Sequence, residues 1–326
     1  MKTHQRRALV ASIASLALLL PVLPAHAADS DAEPNAVAAE VAQAAPTDIS
    51  AADLDATPGG LAAQLDGGGA THLGADASTG VAVTAADGTD VVSFTLPGAS
   101  RLEDAVVADD GSVTWVGDAS TPSINVVAAE DAIRVATVIE SASQGQRFSY
   151  DFGPGATVEL QEDGSAIAYV SEQVTDPETG ETLDGEKIIA TIAAPWAKDA
   201  NGVDVPTRYA ASGSVLTQVV SHRKGAFTYP VVADPTFDRP NFVQWRVRFN
   251  RAETATIASG GAGVIASLGC GAMAAVCAVA GGVIWWNASV AQNSSPKRCV
   301  QITATYPYVI PGMYWWVDTY RGGPCR

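Results

Sequence analysis

The chain has 326 residues, 47% of them hydrophobic and only 17% charged, with a formal net charge of −16. That hydrophobic content excludes disorder throughout. The charge is uneven: residues 28–237 hold 32 acidic against 8 basic side chains, and residues 238–326 hold 3 against 8, which excludes nucleic acid as a partner of the acidic part.

Lys2, Arg6 and Arg7 precede an apolar stretch from Ala8 to Leu23, and Pro24-Ala25-His26-Ala27 supplies small residues for a cut after Ala27. This is the layout of a secretory signal peptide, residues 1–27, so the mature chain is expected to be secreted. The Arg6-Arg7 pair also admits a twin-arginine route. Residues 28–76 are rich in Ala, Gly and Asp and read as a flexible acidic arm. Within it DISAADLDA is compatible with a short helix capped by Asp48 or Ser50.

From residue 77 to 237 the pattern has period two and is rich in β-branched residues. GVAVTAADGTDVVSFTL, DAVVADDGSVTWVG, SINVVAAEDAIRVATVIE and ATVELQEDGSAIAYVS each read as strand, turn, strand. Asp87-Gly88, Asp110-Gly111 and Asp163-Gly164 fall where hairpin turns need a positive φ, and they read as turns rather than calcium ligands. Asp199-Ala-Asn201-Gly-Val-Asp204 comes nearest to a calcium loop and is also read as a turn. KIIATIAAPW and SVLTQVVSH add strands. The expected fold class is α+β, mainly β, with an antiparallel sandwich or meander as its body.

Pro195-Trp196-Ala197, Asp199, Gly202, Val205-Pro206-Thr207, Tyr209 and the run Tyr229 to Pro235 form a PWAxDAxGxxVPTxY segment followed by YPVVADP. This stretch resembles the β-rich modules of a family of exported actinobacterial proteins. The resemblance implies a carrier placed before a variable C-terminal segment, and it brings no catalytic residues with it.

Residues 238–326 form the basic remainder. TFDRPNFVQWRVRFNRAET reads as one more strand in which Phe242, Trp245, Val247 and Phe249 mix with Arg246, Arg248 and Arg251 as a basic, aromatic edge. Thr254 to Pro296 carries no charged residue. Its Ala and Gly content makes a single bilayer helix marginal, although membrane association through residues 254–291 stands as the alternative. All four cysteines, Cys270, Cys277, Cys299 and Cys325, lie here, and in an exported chain an even number favours two disulfides over metal binding. In one continuous helix Cys270 and Cys277 would be about 10 Å apart along the axis, beyond disulfide reach of about 7 Å. Two helices of roughly 251–268 and 273–291, broken at Gly269 and Gly271 and stapled at that corner, are therefore expected. CVQITATY and MYWWVDTY read as a β-hairpin turning through PYVIPG, which brings Cys299 opposite the region of Tyr320 and within reach of Cys325. Trp285, Trp286, Trp315 and Trp316 form two pairs, expected to pack as the core of this domain, with a membrane interface as the other placement.

The mature chain holds two histidines, His72 and His222, and no GxSxG, HExxH, Walker or strand-to-helix GxGxxG motif. Glu178 and Glu181 lie in a Gly- and Pro-containing turn. No catalytic residue, metal or cofactor is expected; an enzyme would need His222 to meet an acid and a serine across the fold. The expected product is an exported, non-enzymatic protein whose acidic module carries a disulfide-stapled, membrane-active C-terminal domain. Its expected contact residues are Arg246, Arg248, Arg251, Trp285, Trp286, Lys297, Arg298, Trp315 and Trp316, and its partner an anionic membrane surface or a cell-surface protein. A plain structural or interaction protein of the cell surface is the alternative.

Overall fold

The computed structural model describes residues 32–175, 182–238, 244–260, 274–305 and 315–325. The signal peptide, Glu178, Glu181, Phe242, the corner bearing Cys270 and the PYVIPG turn lie outside them, and of Cys277 only the helical backbone is described.

Residues 28–76 do not form the expected flexible arm: from Ala32 onward they are structured. Helix α1 (Ala32–Ala44) buries Pro34, Val37, Ala38, Val41 and Ala44, one stripe at helical spacing. The stretch DISAADLDA is not helical. It leads instead into a five-stranded antiparallel meander, β1 (Leu54–Thr57), β2 (Gly60–Gln64), β3 (Ala70–Gly74), β4 (Val81–Thr84) and β5 (Asp90–Phe94). The glycines that suggest flexibility are tight-packing residues. Gly69 has φ +90°, and a Cβ there would lie 2.2 Å from the Thr84 carbonyl oxygen, so only glycine lets the β2–β3 turn close over β4. Small side chains then do the burying: Ala62, Ala63, Leu65 and Leu73 are all inside.

The chain continues through β6 (Val106–Val107), β7 (Val113–Trp115), β8 (Ser123–Ala128), β9 (Ala132–Ile139), β10 (Arg147–Asp151), β11 (Ala156–Leu160), β12 (Ala166–Thr175), β13 (Thr182–Ile192), β14 (Ala197–Asp199), β15 (Thr207–Ser212), β16 (Val215–Val220), β17 (Val231–Ala233) and β18 (Thr236–Asp238). Strands β10, β16 and β15 form a three-stranded sheet, and the others join a larger antiparallel sheet. The three Asp-Gly pairs close hairpins as expected, with Gly88, Gly111 and Gly164 at φ +80°, +83° and +89°. In each the aspartate accepts the N–H and hydroxyl of the residue two positions on, Thr89, Ser112 or Ser165.

The meander, the small sheet and one face of the large sheet share a single core. Phe94 stacks on Phe237 with centroids 4.4 Å apart, and Tyr150 meets Phe94 edge-on at 6.4 Å. Fully burying a ring such as Phe237 contributes about 2–3 kcal/mol. Along β9 the alternation sends Ile133, Val135 and Ile139 into this core and Ala136 and Val138 to the opposite face, under α1.

The C-terminal part extends the same large sheet. Strand β19 (Gln244–Arg248) pairs antiparallel with β13, Glu186 facing Arg246. Helix α2 (Arg251–Gly260) follows, opened by a reciprocal cap: Glu253 N–H donates to Asn250 Oδ1 at 3.0 Å and Asn250 N–H to Glu253 Oε2 at 2.7 Å. Helix α3 (Ala274–Asn293) returns alongside it, as Trp285 Nε1–H donating to Ala258 O at 3.1 Å shows. Strands β20 (Cys299–Thr305) and β21 (Trp315–Tyr320) complete the sheet edge. The described helical stretches, Arg251–Gly260 and Ala274–Asn293, agree with the expected ranges of roughly 251–268 and 273–291 as far as the described residues reach, and residues 261–273 lie outside those described. Among the described residues no helix is long and apolar enough to cross a membrane. The architecture is α+β, mainly β.

Candidate functional site

Strand β19 sets the geometry where the C-terminal domain meets the body. Trp245 and Phe249 point to one face, where they pack with Ile257 of α2, Ala280, Ile284 and Ala288 of α3, and Val300, Ile302 and Ala304 of β20. Period two therefore sends Arg246 and Arg248 to the other face. There they meet acids of the body. Arg246 Nε donates to Glu186 Oε2 at 2.7 Å and its Nη2 to Glu159 Oε2 at 3.4 Å. Arg248 Nη1 donates to Glu159 Oε2 at 2.6 Å, and its Nε and Nη2 both reach Glu186 Oε1, the former at 3.0 Å. The Arg246 and Arg248 guanidiniums also lie 5.1 and 5.5 Å from the Tyr169 ring centre. Burial works against the charge on Arg248, yet Glu186 and then Glu159 hold its pKa above the usual arginine value. A cleft of about 380 Å³ opens beside this group, lined by Ser171, Gln173, Glu186, Arg246, Arg248 and Pro324.

The expected outward basic edge is thus corrected in part. Arg246 and Arg248 side chains are 2% and 5% exposed, because their charge is matched by the body and not offered to an outside partner. Arg298 is also paired with an acid of the body, but at the surface, its Nη2 donating to Glu162 Oε2 at 2.8 Å, with Arg321 3.8 Å from the same carboxylate. Arg251 and Lys297 remain exposed. They sit together at one end of the helix pair, since α3 ends near Lys297 and Gln292 Nε2 reaches the Arg251 carbonyl at 3.5 Å.

The tryptophan pairs are not the core of the domain. Trp286 is 63% exposed, and Trp285 and Trp316 are 38% and 39% exposed, while Trp315 is half-buried against the domain's apolar cluster. Consecutive helical residues are 100° apart, so with Ile284 and Ala288 facing inward Trp286 must face out. Val283, Trp286 and Val290 share this outer face, with Val283 and Val290 also exposed.

Cys299 and Cys325 form a disulfide with Cα atoms 5.6 Å apart, and Cys299 stands opposite Tyr320 in the β20–β21 register. Tyr320, packed on that bridge, donates its hydroxyl to Phe249 O at 3.0 Å. The bridge ties the end of the chain to the strand next to β19.

Other candidate groups are committed to the fold. His222 Nε2 donates to Gly145 O and Nδ1 accepts from Tyr229, both at 2.9 Å; burial lowers its pKa. It meets a tyrosine and a carbonyl, not an acid and a serine. Asp199 accepts the N–H groups of Asn201, Val203 and Thr228, which makes the nearest calcium-like stretch a turn. Among the described residues no group of three His, Cys, Asp or Glu side chains could hold a metal. Sequence reasoning missed Glu159, Glu162 and Glu186; the readable signal was the alternation of Arg246 and Arg248 with Trp245, Val247 and Phe249.

No protein-family model and no curated protein matches the chain. Among solved structures it is similar to a GH92 family glycosyl hydrolase, ccman5, at 13% identity and a TM-score of 0.23. That match covers 74% of this chain and 35% of the hydrolase, so the chain spans about a third of that enzyme's length, and a likeness this loose carries no argument.

Proposed function

We propose that the chain is an exported, non-enzymatic protein in which an acidic β body carries a small disulfide-closed domain, and that the outer face of α3 applies this domain to an anionic membrane surface. The observation that carries the reading is the exposure of Trp286, at 63%, beside Val283 and Val290 on a helix free of charge. Indole and valine on an uncharged helix face suit the headgroup boundary, and Arg251 and Lys297 at one end of the helix pair suit anionic lipid. The signal-peptide layout and the resemblance of the 195–235 stretch to exported carrier modules support the same reading. In the carrier role, β19 adds to the edge of β13 and the body's glutamates take up the domain's inward arginines.

Flotation of the mature chain with phosphatidylglycerol-containing and with purely phosphatidylcholine vesicles tests this. Binding to the anionic vesicles, weakened roughly tenfold by Trp286→Ser with Val290→Ser, is expected. Absence of binding to either vesicle would overturn the membrane reading in favour of a protein partner for the same face.

A further inference from the structure

Helix α1 lies on the face of the large sheet away from the main core. Val37, Val41 and Ala44 pack on Ala136 and Val138 of β9, on Val232 of β17 and on the half-buried Trp196. Asn35 ties down its first turns, donating from Nδ2 to Asp109 Oδ2 at 3.1 Å and accepting the Asp109 N–H at 2.8 Å.

One group fits this interface poorly. Glu40 Oε2 is buried with no hydrogen-bond partner, and none of the ion pairs among the described residues includes Glu40. The charge that acts on it is Glu140, at the end of β9, which has the same sign. Burial first and Glu140 second lift the Glu40 pKa to about 7, and Glu140 is itself raised by burial and by Glu33.

The remaining surroundings offer no relief. On β14, Lys198 lies beside Val232 without an ion pair to Glu40, and Asp199 is saturated by backbone N–H groups. On β9, Arg134 Nη2 donates to Thr47 O and Oγ1, and its field partners are Asp234 and Asp48. Strands β7 and β8 present the neutral Thr114 and Asn125.

We propose that α1 is a strap whose grip on the sheet depends on protonation of Glu40. The neutral acid is tolerated between helix and sheet, whereas the carboxylate, unpartnered and opposite Glu140, loosens the helix. Loosening bares Trp196, Ala136, Val138 and Val232 and widens a cleft of about 360 Å³ lined by Glu40, Gln43, Asn201 and Pro230. The sign follows from a carboxyl whose value in the folded protein lies above its free value: the grip is full below about pH 4.5, falls as pH rises and is spent above 7.

Hydrogen exchange of the mature chain at pH 5.5 and pH 8.0, corrected for the chemical rate, tests the strap. Protection of α1 should fall about 5- to 20-fold between the two while β9 holds, a range set below the roughly 30-fold that full linkage allows over this window because Glu40 is only half-buried. Glu40→Gln should keep α1 protected at pH 8.0. Glu140→Gln, which does not depend on Glu40→Gln folding, should show a smaller fall than the wild type. Equal protection of wild-type α1 at both pH values, or a wild-type-sized fall in either variant, would overturn the proposal.

Discussion

Replacing Glu186 with Gln leaves two guanidiniums, Arg246 and Arg248, facing the single carboxylate of Glu159. The arginine side chains are 2% and 5% exposed, Glu186 15% and Glu159 29%, so the acid removed is the less screened of the two. Taking one partner from a buried ion pair costs about 3–5 kcal/mol, because the remaining charge is stranded away from water. Gln still accepts one hydrogen bond and the adjoining cleft admits water, which places the expected loss near the lower end, about 3 kcal/mol. Urea titration of the mature chain, with hydrogen exchange of β19 as a local probe, measures it. Arg246→Met in the Glu186→Gln background restores charge balance, so the double variant should be less damaged than the sum of the singles by about 1 kcal/mol or more. A loss under about 0.5 kcal/mol, the range of exposed pairs, would refute the idea that ion pairs hold the domain on the body. So would strict additivity of the two changes.

Other consequences are equally direct. Cys299→Ser frees a loop of 26 residues and should destabilise the C-terminal domain by about 3 kcal/mol, read as a lower urea midpoint; an unchanged midpoint would contradict it. Asp234 is buried at the end of β17, and burial lifts its pKa to about 7 despite hydrogen bonds from Thr236 and Trp196. Its contribution is therefore complete below about pH 4 and is lost as pH rises past 7, up to roughly 4 kcal/mol. Asp234→Asn should flatten the stability–pH curve over that window, and a curve parallel to the wild type would refute the assignment. Gly69→Ala puts a side chain at φ +90° against the Thr84 carbonyl and should cost at least about 2 kcal/mol by thermal or urea unfolding.

Local chemistry was readable where local geometry decides. Each Asp-Gly pair carried its own turn, and counting back from the expected β20–β21 turn was enough to set Cys299 opposite Tyr320. Helix α1 was not readable because nearly half of its run is Ala and its stripe becomes meaningful only once Val138, Val232 and Trp196 lie beneath it. The β1–β3 meander was hidden by glycines that signal either slack chain or close approach, and only the neighbouring strand tells which. The inward turn of Arg246 and Arg248 was half visible in the alternation of β19. Their counter-charges, however, lie 60 and 87 residues earlier, a separation that no local pattern encodes. The tryptophans show the converse: adjacent helical positions are 100° apart and do not both centre on one core, and once Ile284 and Ala288 face inward it is Trp286 that turns out.

The most direct measurement is a hydrogen-exchange footprint of the intact mature chain with and without phosphatidylglycerol-containing vesicles. Added protection is expected over residues 283–290 and the neighbourhood of Lys297, with β19 and the glutamates it meets unchanged. Protection confined to the acidic body, or opening of β19 from β13 on binding, would contradict a domain that stays docked and works through its outer helix.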